Sequence, residues 1–453
     1  MSRKSSNPLC LLGLALTLSL SGAAQAQDLL DLYRLAIERD ATYLAARAAA
    51  ESGREIVPQA RAGLLPQVSA NLSLSRNSTD QTTKDILGRE VSRQYDYTAE
   101  GAALTLRQAV YRPASLAQLR AAESRVNGID AQLERERQNV AMRLAQAYFD
   151  VLSARERIAS LQSEQQAYAA QLDAAERAFR AGFGTRTDID DARARLDLAQ
   201  AREIEARLSL AVAERALSAL IDEPVEARRL QGLKETGPVL SLPEPADLQA
   251  WVRRAEENNP ELKALRAAVD AAEHEIQKNR AGHLPTVDLF ASRSLSDSES
   301  DSTIGSRYWT TRIGAQVVVP LYAGGYVDST VRQALANRDS ARQQLESARR
   351  QVGVEVARAY GAVTQGIARV KALEVALNSA EQAVRSSQKG LAAGTRSRVD
   401  VLNALQQEAA VRYELYRARI DTLLGQLRLM QVSGLLDESE LARVNQWFKG
   451  RDS

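Results

Sequence analysis

The segment Arg61-Ala62-Gly63-Leu64-Leu65-Pro66 decides the fold, because a close copy, Arg280-Ala281-Gly282-His283-Leu284-Pro285, stands 219 residues later (280 − 61 = 219). A second pair of segments repeats with an offset of 212 (393 − 181 = 212): Ala181-Gly182 with Thr187-Asp188-Ile189, and Ala393-Gly394 with Val399-Asp400-Val401. Solenoid repeats are only ~20–50 residues long. The chain is therefore predicted to be two copies of one large unit, which differ by seven residues (219 − 212 = 7) between Pro66 and Ala181.

Each half is predicted to contain one very long helix. From Pro113 to about Arg180, apolar residues recur at steps of three and four with no interior proline, which is the pattern of an amphipathic helix. Its counterpart is expected from about Val327 to Leu391. At ~1.5 Å per residue, each helix would be a rod of roughly 100 Å.

A glycine turn and a returning helix follow each long helix. Gly182 and Gly394 suit the left-handed position that ends a helix, and Thr187 or Asp188 can cap the next one. The returning helices are predicted at about Asp188–Leu220 and Val399–Val432. Each half is therefore expected to be a helical hairpin.

A further helix is predicted before each hairpin. These helices run from about Leu29 to Val57 and from about Leu248 to Lys278. The first is interrupted at Asp40-Ala41 and the second at Asn259-Pro260. Two half-length helices stacked end to end match the length of one long helix, as expected if all of them line one cylinder.

Strands are predicted between the helices. Val68–Ser75 and Trp309–Val319 alternate apolar and polar residues, which is the pattern of half-buried strands. Tyr95–Val110 and Val287–Ser294 are predicted as the other two strands, so that each half has two. A tilted strand of ~10 residues, the length predicted here, is long enough to span a bilayer. The segments 76–93 and 295–307 are expected to be exposed loops.

Four strands are too few to close a membrane barrel, since the smallest contain ~8 strands. Open strand edges are not tolerated in lipid. If the chain crosses a membrane, we therefore expect strands from several copies to share one barrel. The alternative is a soluble sheet that caps a coiled coil.

The N-terminus indicates export from the cytoplasm. Arg3 and Lys4, the apolar run Leu9–Leu20 and Ala24-Gln25-Ala26 together have the features of a cleaved signal peptide over residues 1–26. The mature chain would hold 57 basic residues (59 less Arg3 and Lys4) against 57 acidic ones, so the net charge gives no sign of a nucleic-acid partner. A charged fraction of 26% with only 5% aromatic residues is typical of long helices.

The chemistry of enzymes is missing from the sequence. His274 and His283 are isolated, and Glu273 and Glu275 beside His274 lack the helical spacing of metal ligands. No phosphate-binding glycine loop, nucleophile elbow or candidate cysteine nucleophile occurs. We therefore expect no enzymatic activity, no metal site and no cofactor, and the energy for any transport must come from another protein.

The repeated order of helix, strand pair, long helix, glycine turn and returning helix behind a signal peptide resembles the TolC family of outer-membrane channel proteins. Its best markers are Leu65-Pro66, Leu284-Pro285 and Pro320-Leu321-Tyr322-Ala323-Gly324-Gly325. The resemblance covers about Gln27 to Leu436. It implies a fold that is mainly α with a membrane β-barrel, in a homotrimer with a 12-stranded barrel in the outer membrane and a 12-helix tunnel in the periplasm.

The domain organisation that follows is a signal peptide at 1–26, a first repeat at 27–235, a second repeat at 236–440 and a short C-terminal tail at 441–453. The function implied is that of an outer-membrane exit duct for type I protein secretion or multidrug efflux. Its partners would be a periplasmic adaptor, an inner-membrane ABC or proton-driven transporter, the exported substrate and outer-membrane lipid. The alternative is a periplasmic coiled-coil adaptor or scaffold without a pore, although adaptors usually carry one hairpin rather than two.

The resemblance also implies a gate at the two turns. Arg396 corresponds to an arginine whose links to the neighbouring hairpin hold the aperture shut, and Thr187 and Asp188 correspond to its partners. Asp400 maps onto an acidic ring at the constriction, and Asn403 occupies the next ring position, which is often a second Asp. Asp188 could equally be a helix cap, whereas Asp400, one turn inside a helix, is harder to explain as one.

The turns are also implied to be the docking site of the adaptor. The residues concerned are Gly182, Gly184, Gly394 and Thr395. Small residues at a turn let partner helices approach closely. Leu391 stands where the best-known members carry a tyrosine that latches the closed state, so that link is not expected here.

Overall fold

The computed structural model describes residues 28–234, 240–300 and 303–448, so the predicted signal peptide lies outside the described residues. The helices are α1 Leu29–Arg39, α2 Ala41–Arg54, α3 Ile56–Ala62, α4 Pro113–Arg180, α5 Arg186–Ile221, α6 Leu248–Asn258, α7 Pro260–Arg280, α8 Tyr326–Ala392, α9 Arg398–Val432 and α10 Glu438–Asn445. The strands are β1 Gln67–Lys84, β2 Glu90–Tyr111, β3 Thr286–Ser300 and β4 Thr303–Val318. Short helices, a strand pair, a long helix and a returning helix thus follow one another twice.

The two long helices confirm the prediction made from apolar periodicity. Helix α4 has 68 residues and α8 has 67, and their bounds agree with the predicted ones to within one residue. Pro113 is the first residue of α4, where its missing N–H costs nothing. Each helix forms an antiparallel hairpin with the returning helix, α5 or α9.

The predicted interruptions of the shorter helices are also confirmed, and both are caps. The Asp40 carboxylate accepts a hydrogen bond from the Tyr43 N–H at 2.7 Å at the start of α2. The Asn259 side chain accepts from the Glu261 N–H at 2.9 Å at the start of α7, where Pro260 cannot continue the preceding helix. A capping side chain satisfies a backbone donor that the helix leaves free.

The strands are much longer than the ~10 residues predicted from a bilayer crossing. Strands β1 and β2 have 18 and 22 residues, so the segment predicted as a loop at 76–93 is a turn only at residues 85–89. Strands β3 and β4 have 15 and 16 residues, so 295–307 is likewise mostly strand. The backbone ladder continues past the apolar residues because Ser, Thr and Asn pair across strands without needing burial.

The first strand pair also explains most of the length difference between the halves. From Pro66 to the start of α4 there are 47 residues (113 − 66 = 47), against 41 (326 − 285 = 41) between Pro285 and the start of α8. The one-residue difference between the long helices supplies the remainder. The helices of the two repeats have thus kept nearly the same length, whereas their strand hairpins differ in length.

The four strands form one antiparallel sheet in the order β1-β2-β3-β4, and its two faces differ in polarity. Rows of facing residues on one face are Val68, Leu106, Ala291 and Ile313, then Leu72, Ala102, Leu295 and Trp309. A row on the other face is Asn71, Ala103, Ser294 and Thr310. Above the apolar rows, the first face continues with Leu74, Glu100, Asp297 and Arg307. The apolar face is open in one protomer, with Leu72 85% exposed.

An arginine placed on the apolar face should therefore be far more damaging than one placed on the polar face. Leu72→Arg is expected to lower the stability of the assembled barrel by ~2–4 kcal/mol, the cost of a cation at the depth of the hydrocarbon. The neighbouring Asn71→Arg, on the opposite face, should be tolerated. Urea unfolding in lipid vesicles measures both variants, and equal losses would contradict the assignment of faces.

The main hydrophobic core lies midway along α4, far from the sheet, which adjoins the start of that helix at Pro113. Tyr148 and Phe149 of α4 are fully buried and pack edge-on against each other, and Phe448 packs on both rings. Helix α10 spans the predicted domain boundary at residue 440, and Leu441 and Val444 are buried in the same core. None of the helices in the described ranges has both the length and the apolar character to cross a membrane.

Candidate functional site

The two turns at the ends of α4 and α8 have the same backbone structure. Gly182 and Gly394 have φ angles of 79° and 72°, so the predicted left-handed glycines are confirmed. The Phe183 N–H donates to the Ala178 carbonyl at 3.0 Å, and the Thr395 N–H donates to the Gly390 carbonyl at 2.8 Å. These bonds satisfy carbonyls at the helix ends that would otherwise lack a donor.

Both returning helices begin with a reciprocal cap. The Thr185 hydroxyl accepts from the Asp188 N–H at 3.2 Å, while the Asp188 carboxylate accepts from the Thr185 N–H at 3.1 Å. Ser397 and Asp400 form the equivalent pair, with distances of 3.1 and 2.8 Å. The N-cap residue of α5 is therefore Thr185 and not Thr187, and Asp188 takes part in the cap as its acidic member, as predicted.

The expectation that Asp400 is hard to explain as a cap is wrong. It is the third residue of α9 and the acidic member of its capping box. The signal was present in the sequence as Ser397-Arg398-Val399-Asp400, the hydroxyl-x-x-acid pattern that starts many helices. Asp188 and Asp400 are equivalent residues of the two repeats and have the same structural role.

The pKa of the Asp400 carboxyl is lowered from its usual value. The largest cause is the hydrogen bond from the Ser397 N–H, followed by the Ser397 hydroxyl and, more weakly, the positive charge of Arg396. One carboxylate oxygen, Oδ2, accepts both bonds from Ser397. The Asp400 carboxyl is therefore ionised to a lower pH than an ordinary aspartate.

Arg396 is not brought to Thr187 or Asp188 within the described part of one protomer. Its side chain is exposed, and its stem lies over Gly390, where an added Cβ would be 2.5 Å from Arg396 Cγ. Thr187 is also exposed, and Asp188 uses Oδ2 in its cap. The predicted links of Arg396 thus remain a proposal that requires a neighbouring protomer.

Asn403 instead contacts a residue that was not predicted from the sequence. Arg195 of α5 donates from Nη2 to Asn403 Oδ1 at 2.8 Å, and from Nη1 to Gln406 Oε1 at 2.9 Å. The only signal in the sequence is helical spacing, because Arg195 stands seven residues after Asp188 and so lies on the same helix face. The bond joins the returning helices of the two hairpins.

A small apolar cluster lies beside this bond. Leu402 of α9 is only 2% exposed and packs with Tyr168, Ala192 and Ala199 of the first hairpin. The hairpins of one protomer therefore touch near their turns through an apolar contact with a polar bond next to it. This contact joins two distant parts of the chain and was not predicted from the sequence.

The predicted docking residues are explained in part by the shape of the backbone. Gly182 and Gly394 have positive φ and open space where a side chain would point. A Cβ on Gly184 would lie 2.8 Å from the Phe179 backbone nitrogen, so the chain passes too close for any side chain. Thr395 donates its hydroxyl to the Gly390 carbonyl at 3.2 Å. Phe183, at the tip of the first turn, is 92% exposed.

The described ranges contain no group of three or more His, Cys, Asp or Glu side chains that could hold a metal ion. His283 lies 3.3 Å from the Asp328 carboxylate and His274 3.4 Å from Gln277. Both histidines are on the surface. Each has a side-chain partner on its own repeat.

A comparison with protein families decides the relationship. The model of the outer membrane efflux protein family matches residues 32–222 and 251–435, which correspond to the two repeats. The chain belongs to this family. The predicted resemblance to TolC is therefore confirmed.

Three relatives match over most of their length. The alkaline protease secretion protein AprF of Pseudomonas aeruginosa is 34% identical over 95% of this chain and 89% of its own. The proteases secretion protein PrtF of Dickeya chrysanthemi is 33% identical over 96% and 94%. The outer membrane protein TolC of Vibrio cholerae is 30% identical over 95% and 96%.

Solved structures confirm the fold. The outer membrane protein VceC of Vibrio cholerae superposes with a TM-score of 0.74 over 90% of this chain and 96% of its own, at 18% identity. Membership of the family makes the chain an outer-membrane exit channel whose helical tunnel lies in the periplasm. The alternative of an adaptor or scaffold without a pore is not favoured.

Proposed function

We propose that this protein is the exit duct of a type I protein secretion system and works as a homotrimer. The observation that carries the duct is the open sheet, in which β1 and β4 are edge strands on a sheet with one apolar face. An unpaired edge is very costly in lipid, because no water satisfies its backbone groups. Pairing β4 of one copy with β1 of the next removes both edges, and three copies give a barrel of 12 strands.

The returning helix α5 supports the same assembly. Its surface carries the apolar residues Ile204, Leu208 and Val212 at steps of four, and Leu208 is 67% exposed. Residues four apart lie on one face of a helix, so these side chains form a stripe. A second copy of the chain would cover this stripe and continue the helical wall of the tunnel.

The cargo is proposed to be protein because two relatives with similarity over nearly the whole chain are named for the secretion of proteases. The partners would be a periplasmic adaptor and an inner-membrane ABC transporter. We propose no catalytic role for the duct itself, so the transporter would supply the energy. The turns at Gly182, Gly184, Gly394 and Thr395, together with the exposed Phe183 of the first turn, would receive the adaptor.

Gene deletion tests the cargo. We expect the deletion strain to lose one or more secreted proteases from its culture medium, measured by quantitative mass spectrometry, and to regain them when the gene is restored. Unchanged secretion combined with increased sensitivity to a panel of antibiotics would favour multidrug efflux instead. A deletion strain with unchanged protease secretion and unchanged antibiotic sensitivity would contradict the export role.

Engineered cysteines test the assembly. The only cysteine, Cys10, lies in the predicted signal peptide, so a mature chain offers a clean background. Cysteines scanned along β1 and β4 should form disulfides between copies and give covalent species up to a trimer on denaturing gels. A series that stops at the dimer would contradict the proposed ring of three.

A bulky residue at the second turn should block adaptor docking. Gly394→Leu is expected to abolish export while the trimer still forms, because its side chain would project into open space at the turn. The positive φ adds local strain of ~1–2 kcal/mol for most residues. Gly394→Asn is the matched control, because Asn tolerates this conformation. Loss of the trimer in Gly394→Leu would show that the glycine is needed for folding.

A further inference from the structure

Arg195 makes a two-pronged bond between the hairpins of a single protomer. It lies in the third turn of α5, and its two terminal nitrogens are 2.8 Å from Asn403 Oδ1 and 2.9 Å from Gln406 Oε1 of α9. The acceptors are three residues apart and therefore share one face of α9. A planar guanidinium can direct two donors at such a pair, which a lysine cannot.

We propose that Arg195 is a positioning residue of the gate, which holds α9 against the first hairpin and so limits the resting width of the tunnel mouth. The proposal rests on the proposed duct function. It concerns a link inside each protomer, whereas the links expected of Arg396 join neighbouring protomers. Three protomers would contribute three such links to one ring.

The position of the bond suits a contact that can be released. Next to the bond, Leu402 joins the two hairpins through a buried apolar contact, whereas Asn403 and Gln406 are exposed to solvent. Water can therefore replace the hydrogen bonds when α9 moves away, at little cost in unsatisfied groups. Two hydrogen bonds from one rigid group add a directional constraint on the rotation of α9 to this apolar contact.

Arg193 provides a matched control on the same helix. It donates to the Glu176 carboxylate at 3.3 Å, which belongs to the same hairpin, α4 and α5. Removing Arg193 deletes an arginine near the mouth without cutting a link between hairpins. A general effect of positive charge on conductance would therefore appear when either Arg193 or Arg195 is replaced. An effect of the link between hairpins would appear only when Arg195 is replaced.

The test is single-channel recording of the purified trimer in planar bilayers. Arg195→Gln should increase the ratio of open to closed time by roughly fivefold or more, the effect of losing two charge-assisted hydrogen bonds at an exposed site. Arg193→Gln should match the wild type. Arg195→Lys should lie in between, because an ammonium group bonds well to only one of the two acceptors.

Removing the acceptors supplies a second measurement. Asn403→Leu combined with Gln406→Leu should have the same effect as Arg195→Gln, and the triple variant should show no further increase, because all of them break one interaction. Additive effects would overturn the proposal, as would an Arg195→Gln trimer with wild-type gating. Should Arg195→Gln fail to assemble, the acceptor variant decides the question alone.

Channel recordings of the wild type and of Arg195→Gln distinguish a failure of the duct from a failure of the Arg195 link. A wild-type protein that forms no channel in bilayers would contradict the duct itself. A wild-type protein that conducts, together with an Arg195→Gln protein that gates in the same way, contradicts only the role of Arg195. Increased uptake of large antibiotics by cells that carry Arg195→Gln, but not Arg193→Gln, is the expected result in vivo.

Discussion

Replacing Arg396 by Ser should raise the single-channel conductance of the trimer several-fold and make cells permeable to large antibiotics. In one protomer the Arg396 side chain is exposed, as is Thr187, and Asp188 commits only Oδ2 to its own cap. A neighbouring protomer in a ring could therefore bring Arg396 to these acceptors. Partly exposed links are each worth ~0–1 kcal/mol, so three together contribute up to ~3 kcal/mol, a change of about a hundredfold in the closed-to-open ratio.

Arg398→Ser is the control for Arg396→Ser. Arg398 is the first residue of α9, so it carries the same charge at nearly the same height on the tunnel. Its loss should leave the conductance unchanged if the specific links of Arg396 matter. A conductance increase in both variants would assign the effect to charge alone, and no increase in either would mean that the mouth is held elsewhere, with Arg195 as the next candidate.

The helical part of the fold could be predicted closely because its signals are local. The bounds of α4 follow from Pro113, the steps of three and four, and the glycine turn at Gly182, all of which act within a few residues. The strand lengths could not be predicted in the same way. Beyond the apolar rows, polar residues on both faces are exposed to water, and alternation then has no burial contrast to detect.

The backbone of the two turns could be predicted from the sequence, but the bonds that side chains make between the two hairpins could not. The left-handed glycines of the turns follow from local sequence, and so does the capping box of Asp400, whose hydroxyl partner Ser397 stands only three residues earlier. The bond from Arg195 to Asn403 joins residues 208 positions apart. Such a contact depends on how the two hairpins pack, and helix periodicity does not determine that packing.

Replacing Asp400 by Asn should weaken cation selectivity and block by multivalent cations without widening the mouth. In a trimer, Asp400 would supply one carboxylate per protomer to a narrow ring, and rings of acidic side chains make pores selective for cations. The substitution is nearly isosteric, and the amide oxygen can still accept the Ser397 N–H that now bonds Oδ2 at 2.8 Å. Reversal potentials in a salt gradient measure the selectivity, and single-channel conductance measures the width.

At low pH, Asp400 should keep its negative charge longer than an ordinary aspartate does. Because the bonds from Ser397 lower its pKa, the capping contribution is complete above the usual carboxyl pKa and is lost only as the pH falls through the lowered value. Cation selectivity that depends on Asp400 should therefore persist to a lower pH than typical aspartates allow, and it should be absent at every pH in Asp400→Asn.

Asn403→Asp tests the ring by adding charge instead of removing it. The new carboxylate adds negative charge one turn further along α9 but also faces Arg195. Stronger selectivity with an unchanged or narrower opening is the expected result. Unchanged selectivity in both variants would mean that neither position lines the constriction, and that Asp400 serves only as a cap.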